Sequence, residues 1–430
     1  MEKRDSAFNL SIEQLPSGWD IKELIFVADI NKNSLSKDTH LKDIEYIDIS
    51  SVGTRVLETT TSYNINNAPS RAKRIINDGD TIISTVRPNR KSYLYIQNPK
   101  KNMIASTGFA VISPKNINKN YLHYYLTSNG YINYLVNNST GSAYPAVNAD
   151  IFKKSYIIVP KEDDAKKIGD FLKSIDDKIE LNNEINKILE EMAQLLYNQW
   201  FVEFEFSNEN GQPYKSSGGE MVESELGKIP LGWEVGSLGD SKISNIIKSG
   251  IDDFDGTKKY IATADVDLSC INKNVETMTC KNKKSRANMQ PVINSIWFAK
   301  MKDSNKHMYL DDFCLDLLNE FIFSTGFVGI NCKENSLYYL LNFINDFKFE
   351  IKKDSLCNGS TMKSINNDSL NKINIVIPTQ SLLIKFNNSQ KKIFNKIYLN
   401  NLENYKLKET RDLLIHKLMT NEIDLEKFKI

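Results

Sequence analysis

Residues 168–182 read Ile168-Gly169-Asp170-Phe171-Leu172-Lys173-Ser174-Ile175-Asp176-Asp177-Lys178-Ile179-Glu180-Leu181-Asn182. Ile168, Ile175, Asn182, Leu189 and Leu196 recur every seven residues, with Phe171, Ile185 and Met192 at intervening d-like positions, which predicts a long helix with a coiled-coil seam. Adding 218 to the first set gives Phe386, Ile393, Asn400, Leu407 and Leu414, so a second helix repeats the seam, asparagine included. A polar residue in such a seam costs stability and can fix register.

The repetition extends outward from the helices. Leu15-Pro16-Ser17-Gly18-Trp19 returns as Ile229-Pro230-Leu231-Gly232-Trp233, and Tyr46-Ile47 as Tyr260-Ile261. Ser70-Arg71-Ala72 returns as Ser285-Arg286-Ala287, Ser106-Thr107-Gly108-Phe109 as Ser324-Thr325-Gly326-Phe327, and Gly141-Ser142 as Gly359-Ser360. Ile157-Ile158-Val159-Pro160 matches Ile375-Val376-Ile377-Pro378, and the offset drifts only from 214 to 218 along the chain. Six matches in one order mean that the 430 residues are two copies of one unit.

Each unit opens with short β-rich runs such as Thr81–Val86 and Phe109–Ile112, which predict a mixed α+β domain. Pro160 closes the last strand, and Glu162, Asp163 and Asp164 supply the acidic first turn of the helix. The expected organisation is a domain over 1–160, a helix over 161–206, a Ser/Gly/Asn-rich linker over 207–227, a second domain over 228–378 and a second helix over 379–430. The fold class is therefore α+β, two domains joined by two long antiparallel helices in a pseudo-twofold repeat.

The net charge of +1 hides segregation. Pro69 to Lys101 carries +6, Lys281 to Lys306 carries +6, and the first helical segment, Lys161 to Phe206, carries −6. The second helical segment, Thr379 to Ile430, carries +4, so the two helices should pair through opposite charge. Basic, aromatic-interleaved stretches suit phosphate neutralisation and contacts of guanidinium forks with base edges. In the first domain the candidates are Arg71, Lys73, Arg74, Arg87, Arg90 and Lys91, with Ser142 and Tyr144 in a tight polar loop. In the second they are Lys281, Lys283, Lys284 and Arg286, with Ser360 and Lys363 in the matching loop.

Enzyme signatures are missing. No Pro-Pro pair exists for an amino-methyltransferase motif, and neither G-x-x-x-x-G-K-[ST] nor G-x-G-x-x-G occurs. His40, His123, His307 and His416 are scattered, none at ligand spacing with the five cysteines, so no metal site is expected. Asp424-Leu425-Glu426-Lys427 is the nearest approach to a nuclease carboxylate cluster, with the lysine one place early; it reads as a solvated helix end. The odd cysteine count without C-x-x-C indicates free thiols. No apolar run approaches the ~20 residues of a membrane span and no secretory h-region follows Met1, so a cytoplasmic protein is expected.

With these motifs assembled, the chain resembles the specificity subunits of Type I restriction-modification systems: the two Pro-x-Gly-Trp openings, Gly79–Pro88, the two Ser-Thr-Gly-Phe motifs and the paired heptad helices carry the resemblance, which spans nearly the whole chain. It implies a non-catalytic subunit whose two target-recognition domains each read half of a bipartite, asymmetric site in double-stranded DNA. Two methyltransferase subunits, binding S-adenosylmethionine and methylating adenine at N6, would assemble around the helices. Restriction subunits, using ATP and Mg, would join in systems that cleave; this chain would bind none of these cofactors. Tyr144 stands where the family often has Gln before Pro145, and the second loop lacks the proline. A methylation-only system, a helical interaction scaffold whose basic stretches are solvated faces, and an unfamiliar enzyme remain as alternative readings. A helix over Lys161–Phe206 would span roughly 65–70 Å, about two turns of B-DNA, and would act as a ruler between the half-sites.

Overall fold

The repeated Pro-x-Gly-Trp motif is a turn that launches the first strand of each domain. The Trp19 amide donates to Pro16 O at 3.0 Å, and the Trp233 amide to Pro230 O at 3.1 Å. Gly18 and Gly232 sit at φ +86° and +83°, a left-handed backbone that glycine adopts without a Cβ penalty. Both indoles are buried, and Trp19 Nε1 donates to Asp164 Oδ2 at 2.9 Å in the first turn of the long helix. The strand that follows each turn pairs antiparallel with the strand entering the helix: Asp20–Glu23 with Tyr156–Val159, and Glu234–Ser237 with Asn374–Ile377.

A computed structural model describes the chain apart from residues 1–6, 9, 37–38, 142–143, 268–269, 272–274, 334, 360–362, 424 and 426–430. The chain divides into two units, Met1–Asn182 with Leu402–Ile430, and Asn183–Asn401. Each unit thus owns one sheet domain and a stretch of both long helices, a partition that cuts across the helices instead of following the sequence boundaries.

In the first unit, one sheet runs Ala28–Ile30, Phe109–Pro114, Thr81–Ser84, Tyr93–Tyr95, all antiparallel. The other runs Thr61–Asn64, Asp43–Ile47, Met103–Ser106, Ala72–Ile75, with a parallel pair at its centre. Thr81–Ser84 is buried throughout because both faces are covered. Ile47, Ile82, Phe109 and Val111 fill one core, and Tyr121, Tyr125, Ile168 and Leu172 fill another against the long helices.

The second unit repeats this order with Ser244–Ile246, Phe327–Cys332, Ser295–Ala299 and His307–Leu310, and with Thr277–Met278, Lys258–Ile261, Phe321–Ser324 and Ala287–Met289. The duplication reaches the register. Tyr46 pairs with Ile104 and Tyr260 with Ile322 in the parallel pair, and a bulge follows both Ala72 and Ala287. The Tyr121 hydroxyl donates to Ile158 O, and the Tyr339 hydroxyl to Val376 O, each tying a domain helix to the strand before a long helix.

The long helices are Glu162–Tyr197, continued by a π-turn at Asn198–Val202, and Gln380–Met419. They are antiparallel, since partners on the second fall in number as the first rises: Asp176 with Arg411 and Asn182 with Asn404 in the first unit, Asn186 with Asn401 and Asn400 in the second. Ile168, Ile175, Asn182, Phe386 and Asn400 are buried; Leu189, Leu196, Ile393, Leu407 and Leu414 are half-buried. The intervening stripe lies one residue later than expected. Leu172, Ile179, Asn186 and Ala193 are buried, whereas Met192 is exposed and Phe171 and Ile185 are half-buried, because an alternating three- and four-residue spacing can start from either interval.

Asn182 donates to Asn404 Oδ1 at 2.9 Å and to Glu403 Oε2 at 2.8 Å, while Asn400 donates to Asn186 Oδ1 at 2.8 Å. The expected charge complementarity is largely not realised. Among the described residues, Asp176–Arg411 has the expected polarity between helices, and Lys178–Glu403 has the opposite one. Lys166–Asp170 and Lys173–Asp177 pair along their own helix, the i,i+4 geometry open to solvated faces.

The stretch read as a linker is partly ordered: Met221–Ser224 forms a hairpin with Gly227–Pro230, and Tyr214 stacks on Phe206, which stacks on Trp233. Aromatic burial organises a segment whose composition alone suggests coil. Cys314 and Cys332 are buried free thiols, and Cys280 and Cys357 are half-buried. Among the described residues no helix is long and apolar enough to cross a membrane.

Candidate nucleic-acid interface

Main-chain hydrogen bonds hold four distant segments of the first domain side by side. Thr107 N donates to Arg71 O (2.8 Å), Thr85 N to Gly108 O (2.8 Å), Val147 N to Thr85 O (2.9 Å) and Arg87 N to Pro145 O (2.7 Å). The Ser-Thr-Gly-Phe motif makes the turn in this set that carries the chain from Met103–Ser106 in one sheet to Phe109–Pro114 in the other. The Gly108 amide donates to Ser106 Oγ at 3.2 Å, and a Cβ at Gly108 would stand 2.2 Å from Ile49 Cδ1, so a larger residue there would have to displace the Ile49 side chain.

The second domain repeats the stitching. Thr325 N donates to Arg286 O (2.9 Å), Lys300 N to Gly326 O (2.9 Å), Ile365 N to Lys300 O (3.0 Å) and Lys302 N to Lys363 O (3.0 Å). The Gly326 amide donates to Ser324 Oγ at 3.1 Å.

This arrangement brings together Arg71, Arg87 and Tyr144 in one domain, and Arg286 and Lys363 in the other. Pro88–Arg90 forms a 3₁₀ turn between two left-handed residues, Arg87 at φ 50° and Lys91 at φ 56°. Arg90 is exposed on that turn, Lys91 Nζ donates to Asn129 Oδ1 at 2.8 Å, and the Arg87 guanidinium lies 4.4 Å over the Tyr144 ring. Lys73 and Arg74 lie further along the strand from Arg71. Arg74 is half-buried, burial lowers its pKa, and its Nε is buried without a partner among the described residues. Lys281, Lys283 and Lys284 occupy the connection before Ala287–Met289; Lys284 is paired with Glu276 and lies 5.7 Å from the Tyr260 ring. Both partners of that ion pair are exposed. Ser142, Ser360, Asp424, Glu426 and Lys427 lie outside the described residues.

Sequence reasoning passed over Lys300 and Lys302. The signal was present, because an offset of 215 places Thr85 and Arg87 on them, and the bridges Val86–Ala146 and Met301–Ser364 align the same way. Burial lowers the pKa of Lys300. Also unforeseen is a charged node between the first domain and the helices. Arg55, at φ 64° with its side chain 10% exposed, donates through NH1 to His123 Nε2 at 2.9 Å and lies 3.8 Å from Asp176. Asp176 also pairs with Arg411 and accepts from the Tyr124 hydroxyl at 2.7 Å. Arginine cannot accept, so Nε2 is the acceptor and His123 Nδ1–H donates to Thr81 Oγ1 at 3.1 Å. Burial, reinforced by Arg55, Arg411 and Lys173, holds the His123 pKa well below the usual imidazole range. Arg411 occupies the seam position where the first helix has Ala193, a charge on an apolar stripe that the sequence does display.

Residues 16–191 match the family described as the Type I restriction modification DNA specificity domain. That stretch takes in the first sheet domain and most of the first long helix, and the second half of the chain repeats the same strand order. Over most of its length the chain is similar to curated relatives. It is 26% identical to the Type I restriction enzyme HindI specificity subunit of Haemophilus influenzae, over 84% of this chain and 90% of that protein. It is also 26% identical to the Type I restriction enzyme MjaIX specificity subunit of Methanocaldococcus jannaschii, over 97% and 96%. The crystal structure of a Type I restriction-modification S subunit from M. genitalium shares the fold, with a TM-score of 0.52 and 13% identity over 94% of this chain and 98% of that one. The chain as a whole is thus similar to Type I specificity subunits, and residues 16–191 match the model of their DNA specificity domain.

Proposed function

We propose that this chain is a non-catalytic subunit whose two recognition domains each read one half of a bipartite, asymmetric target in double-stranded DNA. It directs partner methyltransferase subunits to adenine N6 and restriction subunits to the same DNA, acting in the cytoplasm against foreign DNA. S-adenosylmethionine, ATP and Mg belong to those partners. The observation that carries this reading is the duplicated strand-end cluster: equal backbone positions, held by equivalent hydrogen bonds, bear Arg87 in one domain and Lys302 in the other. Identical scaffolds with different cationic side chains are what reading two different half-sites requires.

Partner binding is supported by apolar side chains left exposed on the helices. Leu181 and Leu413 of the first unit are 49% and 58% exposed, and their counterparts in the second unit, Leu399 and Leu195, are 50% and 68% exposed. Exposed leucines at equivalent positions in each unit suit two copies of one partner. The test is methylome sequencing of cells carrying this chain and its methyltransferase partner. A split adenine-methylated motif is expected, with only one half changing when residues 1–182 and 402–430 are exchanged together for a different recognition domain with its own helix segments. Methylation that ignores the exchange overturns the reading. In purified complexes, Arg71→Ala and Arg90→Ala should each flatten the log K versus log salt line by up to ~0.9.

A further inference from the structure

We infer that Arg87 and Tyr144 form a guanine-reading element for a single base pair in the half-site of the first domain, Tyr144 holding the Arg87 fork at a fixed orientation. This rests on the proposed DNA-reading function and goes beyond it by assigning a base and two roles.

Three observations meet at this pair. First, Arg87 occupies a left-handed backbone (φ 50°, ψ 60°), a conformation unfavourable for a side chain with a Cβ. Such a residue persists only where its surroundings over-determine it, and here the Arg87 amide is fixed on Pro145 O at 2.7 Å. Second, the guanidinium lies 4.4 Å over the Tyr144 ring, and that ring is itself 69% exposed. A large aromatic left in solvent contributes little to the core. Stacked under a guanidinium, it restricts the plane of the fork, and a fork held in one plane matches the O6 and N7 acceptors of a guanine in the major groove. Third, the second domain keeps the backbone bond, from Lys302 N to Lys363 O at 3.0 Å, but its sequence places Lys302 and Met362 where the first has Arg87 and Tyr144. Lysine is a point charge without a fork, so this kind of base reading belongs to the first domain alone.

The experiment uses the assembled methyltransferase complex. Domain exchange first identifies which half-site belongs to residues 1–160; that half must contain a fixed G·C pair. Methylation of duplexes carrying each base at every position of the site is then compared for the native chain, Arg87→Ala, Arg87→Lys, Tyr144→Phe and Tyr144→Ala. Discrimination at one G·C pair should fall roughly 10- to 100-fold in both Arg87 variants, with the other half-site read unchanged as an internal control of folding. Tyr144→Phe should keep discrimination, and Tyr144→Ala should lose about 2- to 5-fold at that same pair.

Arg87→Lys retaining full discrimination, or both Arg87 variants slowing methylation equally for every base, would show a phosphate contact and overturn the proposal. So would a half-site without a fixed G·C pair, or Tyr144→Ala acting at a different position. If Arg87→Ala abolishes all methylation, the Arg87→Lys profile alone decides by the same criterion, and an inactive Arg87→Lys counts against the proposal. Failure of the domain exchange to alter either half-site would instead sink the broader DNA-reading function, so the two failures are distinct.

Discussion

At position 176 the first long helix carries Asp, and 218 residues on, the second carries Phe394. The two positions perform one task in their respective units, seating a recognition domain against the helices. In the first unit Asp176 meets Arg55, Arg411 and the Tyr124 hydroxyl. In the second, Phe394 lies parallel to Tyr338 at 5.0 Å and edge-on to Tyr309 at 5.5 Å, and Ala193 stands where the first unit has Arg411. Tyr95 and Tyr309, equivalent on their edge strands, show the same divergence. Tyr95 packs on His123, and Tyr309 on Phe394. One scaffold therefore tolerates two chemistries at its seat. A buried ion pair roughly breaks even against apolar packing of similar volume, so drift between them is energetically open, yet removing one charge from the pair is costly.

That contrast can be broken in three places. Phe394→Ala should have the largest effect, about 3–5 kcal/mol from lost burial and the cavity left behind. Denaturant unfolding should show it, with faster hydrogen–deuterium exchange confined to residues 183–401; an effect below about 1 kcal/mol would mean that the aromatic seat is not where the second domain gains its hold. Arg411→Ala should cost about 2–3 kcal/mol, below the figure for a fully dry pair because Asp176 is 23% exposed. Adding Asp176→Phe, which imitates the second unit, should not restore stability until Arg55→Leu is added, since Arg55 would otherwise keep a buried charge without its carboxylate. Restoration by the double variant alone would show that Arg55 is not part of the node.

The smallest effect is on pH dependence. His123 is neutral in the fold and its folded pKa is lowered, so below its unfolded value of about 6.5 the unfolded chain takes up a proton that the native state excludes. Stability should therefore fall as pH drops below about 6.5, by at most about 1.4 kcal/mol per pH unit from this group. His123→Leu, which matches Leu341 of the second unit, should flatten the melting temperature against pH between 6.5 and 5. An unchanged slope would place the acid sensitivity elsewhere.

The large features were legible in the sequence because duplication writes them twice. The heptad spacing of Ile168 to Leu196, its copy from Phe386 to Leu414, and the Pro-x-Gly-Trp and Ser-Thr-Gly-Phe turns all rest on local patterns that recur. What stayed hidden depends on single side chains meeting across long separations. Arg55, His123, Asp176 and Arg411 have no common spacing and no counterpart in the other copy, so neither periodicity nor repetition exposes them. Asn186 and Asn404 escaped because the seam was traced through the wrong interval, one residue early. The Arg87 candidate was visible as charge, whereas its left-handed backbone and its stacking on Tyr144 follow from a loop closed by hydrogen bonds between segments about 60 residues apart.

The charged seat of the first domain also bears on how such a gene can change by recombination. A crossover that moves residues 1–160 into the second position would deliver Arg55 to a seat lined by Phe394 and Ala193, with no carboxylate to receive it. The reverse exchange would lay apolar side chains over Asp176 and Arg411. Domain transfers that carry their own helix segments along should yield working proteins, while transfers cut at the domain edge should yield poorly folded ones. In this lineage, then, the heritable unit of DNA specificity is a recognition domain together with the helix turns that seat it.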